Sequence, residues 1–116
     1  MNSDCVFCKI VSRAIPAPLL YEDEQVVAFR DISPQAPAHL LVIPKQHFVD
    51  LPSLIAAGEE ALAGRLLKVA TQVAREQGLV ESGFRTVINT GEPGGQSVFH
   101  LHVHVLGGRH LAWPPG

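Results

Sequence analysis

Three of the six histidines in this 116-residue chain fall within five positions, in the run His100-Leu101-His102-Val103-His104-Val105. Side chains of a strand alternate between faces, so His100, His102 and His104 line one face roughly 6–7 Å apart, with Leu101, Val103 and Val105 on the other. A helix would put His102 across from its two neighbours, and the valines favour strand. The expectation is a strand over 100–105 with one imidazole face and one buried apolar face. A solvent-facing strand ordinarily mixes Thr, Lys, Glu and Arg, whereas here every polar slot holds a group that titrates near neutrality, which points to chemistry. A neutral imidazole attacks phosphorus near pH 7 without the strong base that a Ser hydroxyl needs. The product is a phosphohistidine that water can open, while neighbouring imidazoles orient the nucleophile or give the leaving group a proton. Three imidazoles plus a water on zinc would also hydrolyse esters. The strand carries no carboxylate, however, and adjacent same-face histidines are splayed; chelation separates the two readings.

The preceding stretch, Gly91-Glu-Pro-Gly-Gly-Gln-Ser97, suits phosphate. Gly94 and Gly95 permit backbone conformations that let successive N–H groups converge on phosphate oxygens, with the Ser97 hydroxyl as a further donor. The same composition also serves a plain turn. At the other end, Cys5 and Cys8 are separated by two residues, a spacing for a metal site or a redox pair. A structural disulfide is not expected, because no signal peptide or membrane-length apolar run is seen and the chain is read as cytoplasmic.

These residues need a scaffold. Phe7–Ser12 can form a short helix before the prolines of Ile15-Pro16-Ala17-Pro18 impose an extended path. Leu19–Glu22 and Val26–Phe29 read as a hairpin across Asp23-Glu24, Asp31–Pro37 as a loop, and His39–Ile43 as a central strand closed by Pro44. Pro52-Ser53 opens a short turn. Leu62, Leu66, Val69, Ala70, Val73 and Ala74 recur at helical spacing within a main helix over Gly58–Gln77, capped by Gly78. Phe84–Asn89 is a fourth strand. With one long helix among five strands, repeated βαβ units are not available, and an α+β fold with a mainly antiparallel sheet follows. The length and a hydrophobic content of 47% fit one domain over residues 4–116. A net charge of −2 gives no electrostatic reason to expect nucleic acid or an anionic membrane surface as partner.

The run from His100 resembles the His-φ-His-φ-His-φ-φ signature (φ apolar) of the histidine triad superfamily. Asp31-Ile-Ser-Pro-Gln-Ala-Pro-Ala-His39, Leu41-Val-Ile-Pro-Lys45, Gly94-Gly-Gln-Ser-Val98 and the ending Trp113-Pro-Pro-Gly116 resemble its nucleotide-binding branch, which hydrolyses purine nucleoside phosphoramidates. The resemblance implies His102 as nucleophile, supported by His100 and His104, with His39 facing the same pocket. It implies Asp31 on the ribose hydroxyls, Phe7, Ile10 and Ile32 around the base, and Asn89, Gly95, Gln96, Ser97 and Val98 near the phosphate and leaving group. It implies a homodimer toward which the tail bearing Trp113 reaches, purine nucleoside monophosphates as ligands, and no cofactor for catalysis. By similarity to some bacterial members, His47 and His100 would join Cys5 and Cys8 around a structural zinc. Dinucleoside polyphosphate hydrolysis and a regulatory nucleotide-binding module with vestigial catalysis are the alternative activities.

Overall fold

The computed structural model describes residues 4–116. Its five strands, β1 (Leu19–Glu22), β2 (Val26–Arg30), β3 (Ala38–Pro44), β4 (Phe84–Val87) and β5 (Val103–Gly107), form one antiparallel sheet in the order β1-β2-β3-β5-β4. The α+β class, the antiparallel sheet and the central position of β3 agree with the sequence reading. The helices are α1 (Val6–Val11), α2 (Leu51–Ala56), α3 (Glu60–Glu76) and α4 (Leu79–Ser82). None is long and apolar enough to cross a membrane among the described residues.

Side-chain alternation explains the layering. Leu40 and Val42 of β3, Val26 and Ala28 of β2, and Val103 and Val105 of β5 pack with Leu62, Leu66, Val69 and Val73 of α3. The opposite face carries Val27, Phe29, Leu41 and Ile43 against Phe7 of α1. With both faces covered, β3 reads as an unbroken apolar run. Leu66 is 1% exposed at the middle of the α3 interface, so Leu66→Ala should cost about 2–5 kcal/mol of stability in denaturant titration.

Several elements differ from the sequence expectation: β4 stops at Val87 short of Asn89, α4 was not expected, and three further differences have visible causes. Strand β5 begins at Val103, not at His100. The ladder with β3 reaches Val42 opposite Val103; one step further lies Ile43 and then Pro44, which has no N–H to donate. The chain leaves the ladder there, and Leu101 donates its N–H to the Phe48 carbonyl, 2.7 Å. The alternation nevertheless persists, with Leu101, Val103 and Val105 all fully buried in the α3 core. The helix expected from Gly58 starts at Glu60, because Gly58 adopts φ +76 and ends the preceding α2. That helix replaces the expected turn at Pro52-Ser53: Asp50 caps it by accepting the Ser53 N–H, 2.9 Å, with Pro52 in its first turn.

Candidate functional site

On the α1 face of the sheet lies a cavity of about 530 Å³, within the range of small-molecule sites, lined mainly by apolar side chains. Val6, Phe7 and Ile10 form one wall, Ile15 to Pro18 another, and Phe29 and Leu41 the sheet floor; His102, His104, His39, Asp31 and Ser97 supply the polar groups, and Val98 also lines the cavity. Ile32 lines the rim and is fully exposed. Of the residues singled out in the sequence, Phe7, Ile10, Asp31, Ile32, His39, Ser97, Val98, His102 and His104 are thus brought together. His100, Asn89, Gly95 and Gln96 are not on the wall. Val6, Ile15–Pro18, Phe29, Arg30, Ser33, Gln35 and Leu41 were missed as wall residues. For Ile15–Pro18 the available signal was the extended path that two prolines impose on a segment read as a connector.

Hydrogen-bond partners fix the state of each imidazole. Burial lowers the proton affinity of His39, His100, His102 and His104 below the ordinary histidine value, His100 and His104 to about 4, so the four are neutral at pH 7. His102 Nδ1 lies 2.8 Å from the His100 carbonyl oxygen. A carbonyl only accepts, so Nδ1 carries the proton and Nε2 keeps a lone pair. His39 Nδ1 accepts the Gln35 backbone N–H at 3.0 Å, which puts its own proton on Nε2, 2.8 Å from His104 Nδ1. His104 therefore accepts at Nδ1 and carries its proton on Nε2, a buried atom without a partner among the described residues. A lone pair on His102 and an unused donor on the neighbouring ring, 4.8 Å away between centroids, make a nucleophile and a hydrogen-bond donor side by side.

Asp31 closes this group, its Oδ2 3.5 Å from His39 Nε2 and its Oδ1 accepting the Ser33 N–H at 2.8 Å. Asp31, His39 and His104 are close enough to resemble a metal triad, but the partners argue otherwise. Binding through His39 Nε2 would move its proton to Nδ1, where the Gln35 N–H already points. The three-imidazole zinc reading fails because His100 turns both nitrogens away from the cavity, Nε2 to the Pro44 carbonyl and Nδ1 toward the cysteines.

The glycine loop differs in detail from expectation. The N–H groups of Gly94, Gly95 and Gln96 bond to carbonyls of Gly91 and Glu92 within the loop, so they do not converge on a ligand. Gly95, at φ +96, does use glycine's freedom. Gln96 is buried, its amide donating to the Val49 and Val98 carbonyls and accepting the Gly91 N–H. Asn89 donates to the Gly95 carbonyl, 3.3 Å. Both side chains shape the loop from behind. Ser97 and Val98 follow it directly on the cavity wall.

Residues 12–111 match the family described as the HIT domain. The chain belongs to the HIT domain family. It is similar to a HIT-like protein of Synechococcus elongatus, 55% identical over the full length of both chains. Among solved structures it is similar to a HIT family hydrolase from Legionella pneumophila, 48% identical, TM-score 0.90, covering 97% of this chain and 99% of that one. A histidine triad nucleotide-binding protein from Candida albicans is 30% identical, TM-score 0.81, covering 95% and 82%.

The HIT match begins after α1, so Cys5 and Cys8 lie outside it, yet they meet two histidines from within it. Cys5 Sγ is 3.2 Å from His100 Nδ1, Cys8 Sγ is 3.3 Å from His47 Nδ1 and 3.5 Å from His100 Nδ1, and the two Nδ1 atoms are 3.1 Å apart. A tetrahedral zinc site with two sulfurs and two nitrogens has donor–donor edges of roughly 3.3–3.8 Å. His100 Nε2 donates to the Pro44 carbonyl at 2.9 Å, which leaves its Nδ1 lone pair toward the sulfurs, the second-sphere arrangement that metal-binding histidines use. The four donors fit zinc.

The buried imidazoles also set a pH dependence of stability for this HIT chain. His104 titrates near 6.5 when unfolded and near 4 when folded. The unfolded state binds more protons between those values, so the penalty is absent above about pH 6.5, grows as pH falls toward 4 and is constant below. His39 and His102 reinforce it and Asp31 opposes it. One such group contributes a slope of at most about 1.4 kcal/mol per pH unit, and thermal melts from pH 7.5 to 4.5 should show the loss, flattened in His104→Gln.

Proposed function

We propose that this chain is a hydrolase that cleaves the P–N bond of purine nucleoside 5'-monophosphoramidates of the AMP or GMP type through a nucleotidyl-His102 intermediate. The observation that carries this reading is the lone pair held on His102 Nε2 beside the donor on His104, among the polar groups of an apolar cavity. The base lies among Phe7, Ile10 and Ile32, the ribose hydroxyls bond to Asp31, and the phosphate meets Ser97 and Val98. An anionic phosphate raises the proton affinity of His104 above its value in the free protein, so the ring takes up a proton from solvent in the complex and serves as the imidazolium. His102 Nε2 bonds to phosphorus as the P–N bond breaks, and the nitrogen leaves as an amine with a proton from His104. Water then attacks phosphorus, the Nε2–P bond breaks, and His104 takes back a proton.

Zinc on Cys5, Cys8, His47 and His100 is structural in this reading, holding α1 to the sheet and leaving His102 free. The chain acts as a cytoplasmic homodimer, with Trp113, 81% exposed, on a tail held by Arg85 through the Ala112 carbonyl at 2.9 Å and available to a partner subunit. Mass spectrometry of protein quenched with an adenosine phosphoramidate should find one nucleotidyl group on His102. Turnover of a diadenosine polyphosphate exceeding that of the phosphoramidate would assign the chain to P–O cleavage instead.

A further inference from the structure

The cysteines and the cavity share one short segment. Phe7 lies between Cys5 and Cys8, and its ring stands edge-on to His102 at 5.2 Å and to Phe29 at 5.6 Å. Val6 and Ile10, on the same six-residue helix, complete that wall. A helix of this length has no stability of its own, so its position depends on what anchors it. The anchors are the packing of Phe7 on the sheet and the two sulfurs against His47 and His100. On the other side of the clasp, the carbonyl of His100 accepts the Nδ1–H of His102. One group of four donors therefore touches the site twice, through the wall that faces the base and through the residue whose carbonyl orients the nucleophile.

We propose that this Cys5–Cys8–His47–His100 clasp governs nucleotide binding, so that metal occupancy and nucleotide affinity are thermodynamically linked. The inference rests on the nucleotide reading above. Without metal, α1 keeps only its apolar packing, and the bound nucleotide must supply the ordering of Val6, Phe7 and Ile10 that the metal otherwise provides. Linkage is reciprocal: whatever factor the metal adds to nucleotide affinity, the nucleotide adds to metal affinity. His47 serves the clasp alone, since it is not on the cavity wall, and it makes the cleanest variant.

The test uses full-length protein loaded with zinc. Titration calorimetry with AMP should give an affinity at least tenfold tighter in loaded protein than in protein stripped by chelator or in His47→Gln, with circular dichroism reporting the fold of each. In the reverse direction, equilibrium competition for zinc against a chromophoric chelator should favour the protein at least tenfold more with saturating AMP. That arm requires no stable metal-free protein, so it decides the matter even if the stripped chain unfolds. Zinc partition to the chelator unaffected by saturating AMP, or AMP affinities within twofold in folded loaded and stripped protein, would overturn the linkage while leaving the nucleotide reading intact. Loaded protein that binds no purine mononucleotide would overturn both.

Discussion

His102→Asn should lower phosphoramidate turnover by three orders of magnitude or more while AMP affinity changes by only a few-fold. The size follows from the role. Removing a covalent nucleophile closes the two-step route and leaves only what binding and neighbouring donors achieve, which elsewhere amounts to losses of about 10⁴–10⁶ in kcat. Binding survives because the base wall of Phe7 and Ile10, the Asp31 carboxylate and the Ser97–Val98 segment do not depend on the ring. Asparagine suits the test: its amide N–H can meet the His100 carbonyl that now accepts Nδ1–H at 2.8 Å, so no buried acceptor is orphaned. Single-turnover kinetics with a fluorogenic phosphoramidate, alongside calorimetry with AMP, separates the two effects. Full turnover in His102→Gly would end the nucleophile assignment, because no side chain would remain to carry the phosphoryl group.

How much of this was legible in the sequence depends on whether the signal was local. Alternation from His100 to Val105 reports which side each residue faces, and it survives even where the ladder stops. Where it stops was not visible from those residues, since the cause is Pro44 on a strand more than fifty residues away. The periodicity of Leu62, Leu66, Val69 and Val73 gave the long helix, but its start was set by Gly58 in a left-handed turn, a choice that composition permits without requiring. At the site, side-chain type identified the imidazoles but not their protonation. That comes from backbone groups, the Gln35 N–H and the carbonyls of Pro44 and His100, which a sequence does not display. Gln96 shows the converse. Its place in a phosphate-like loop suggested a ligand contact, and three hydrogen bonds to backbone groups instead make it the staple of that loop.

For His104→Gln the expected loss is smaller, about 10²–10³-fold, and its dependence on the leaving group is the informative part. His104 is placed as the proton donor because its Nδ1 accepts from His39 Nε2 at 2.8 Å and its Nε2 has no partner among the described residues. General-acid assistance matters most when the departing group is a strong base. An alkylamine leaving from phosphorus needs a proton in the transition state, whereas an aniline bearing electron-withdrawing substituents needs it far less. Measured across a series of phosphoramidates, the variant should therefore be most impaired with alkylamine leaving groups and should approach wild type as the amine becomes less basic. A uniform loss across the series would assign His104 to binding the phosphoryl oxygens instead. His39→Leu offers a control within the relay. Losing the donor at His39 Nε2 frees the His104 ring to adopt either tautomer, so only part of the population presents Nε2–H to the substrate. Its effect should share the leaving-group trend of His104→Gln at reduced size, and it should leave the yield of nucleotidyl-His102 from the least basic leaving groups unchanged.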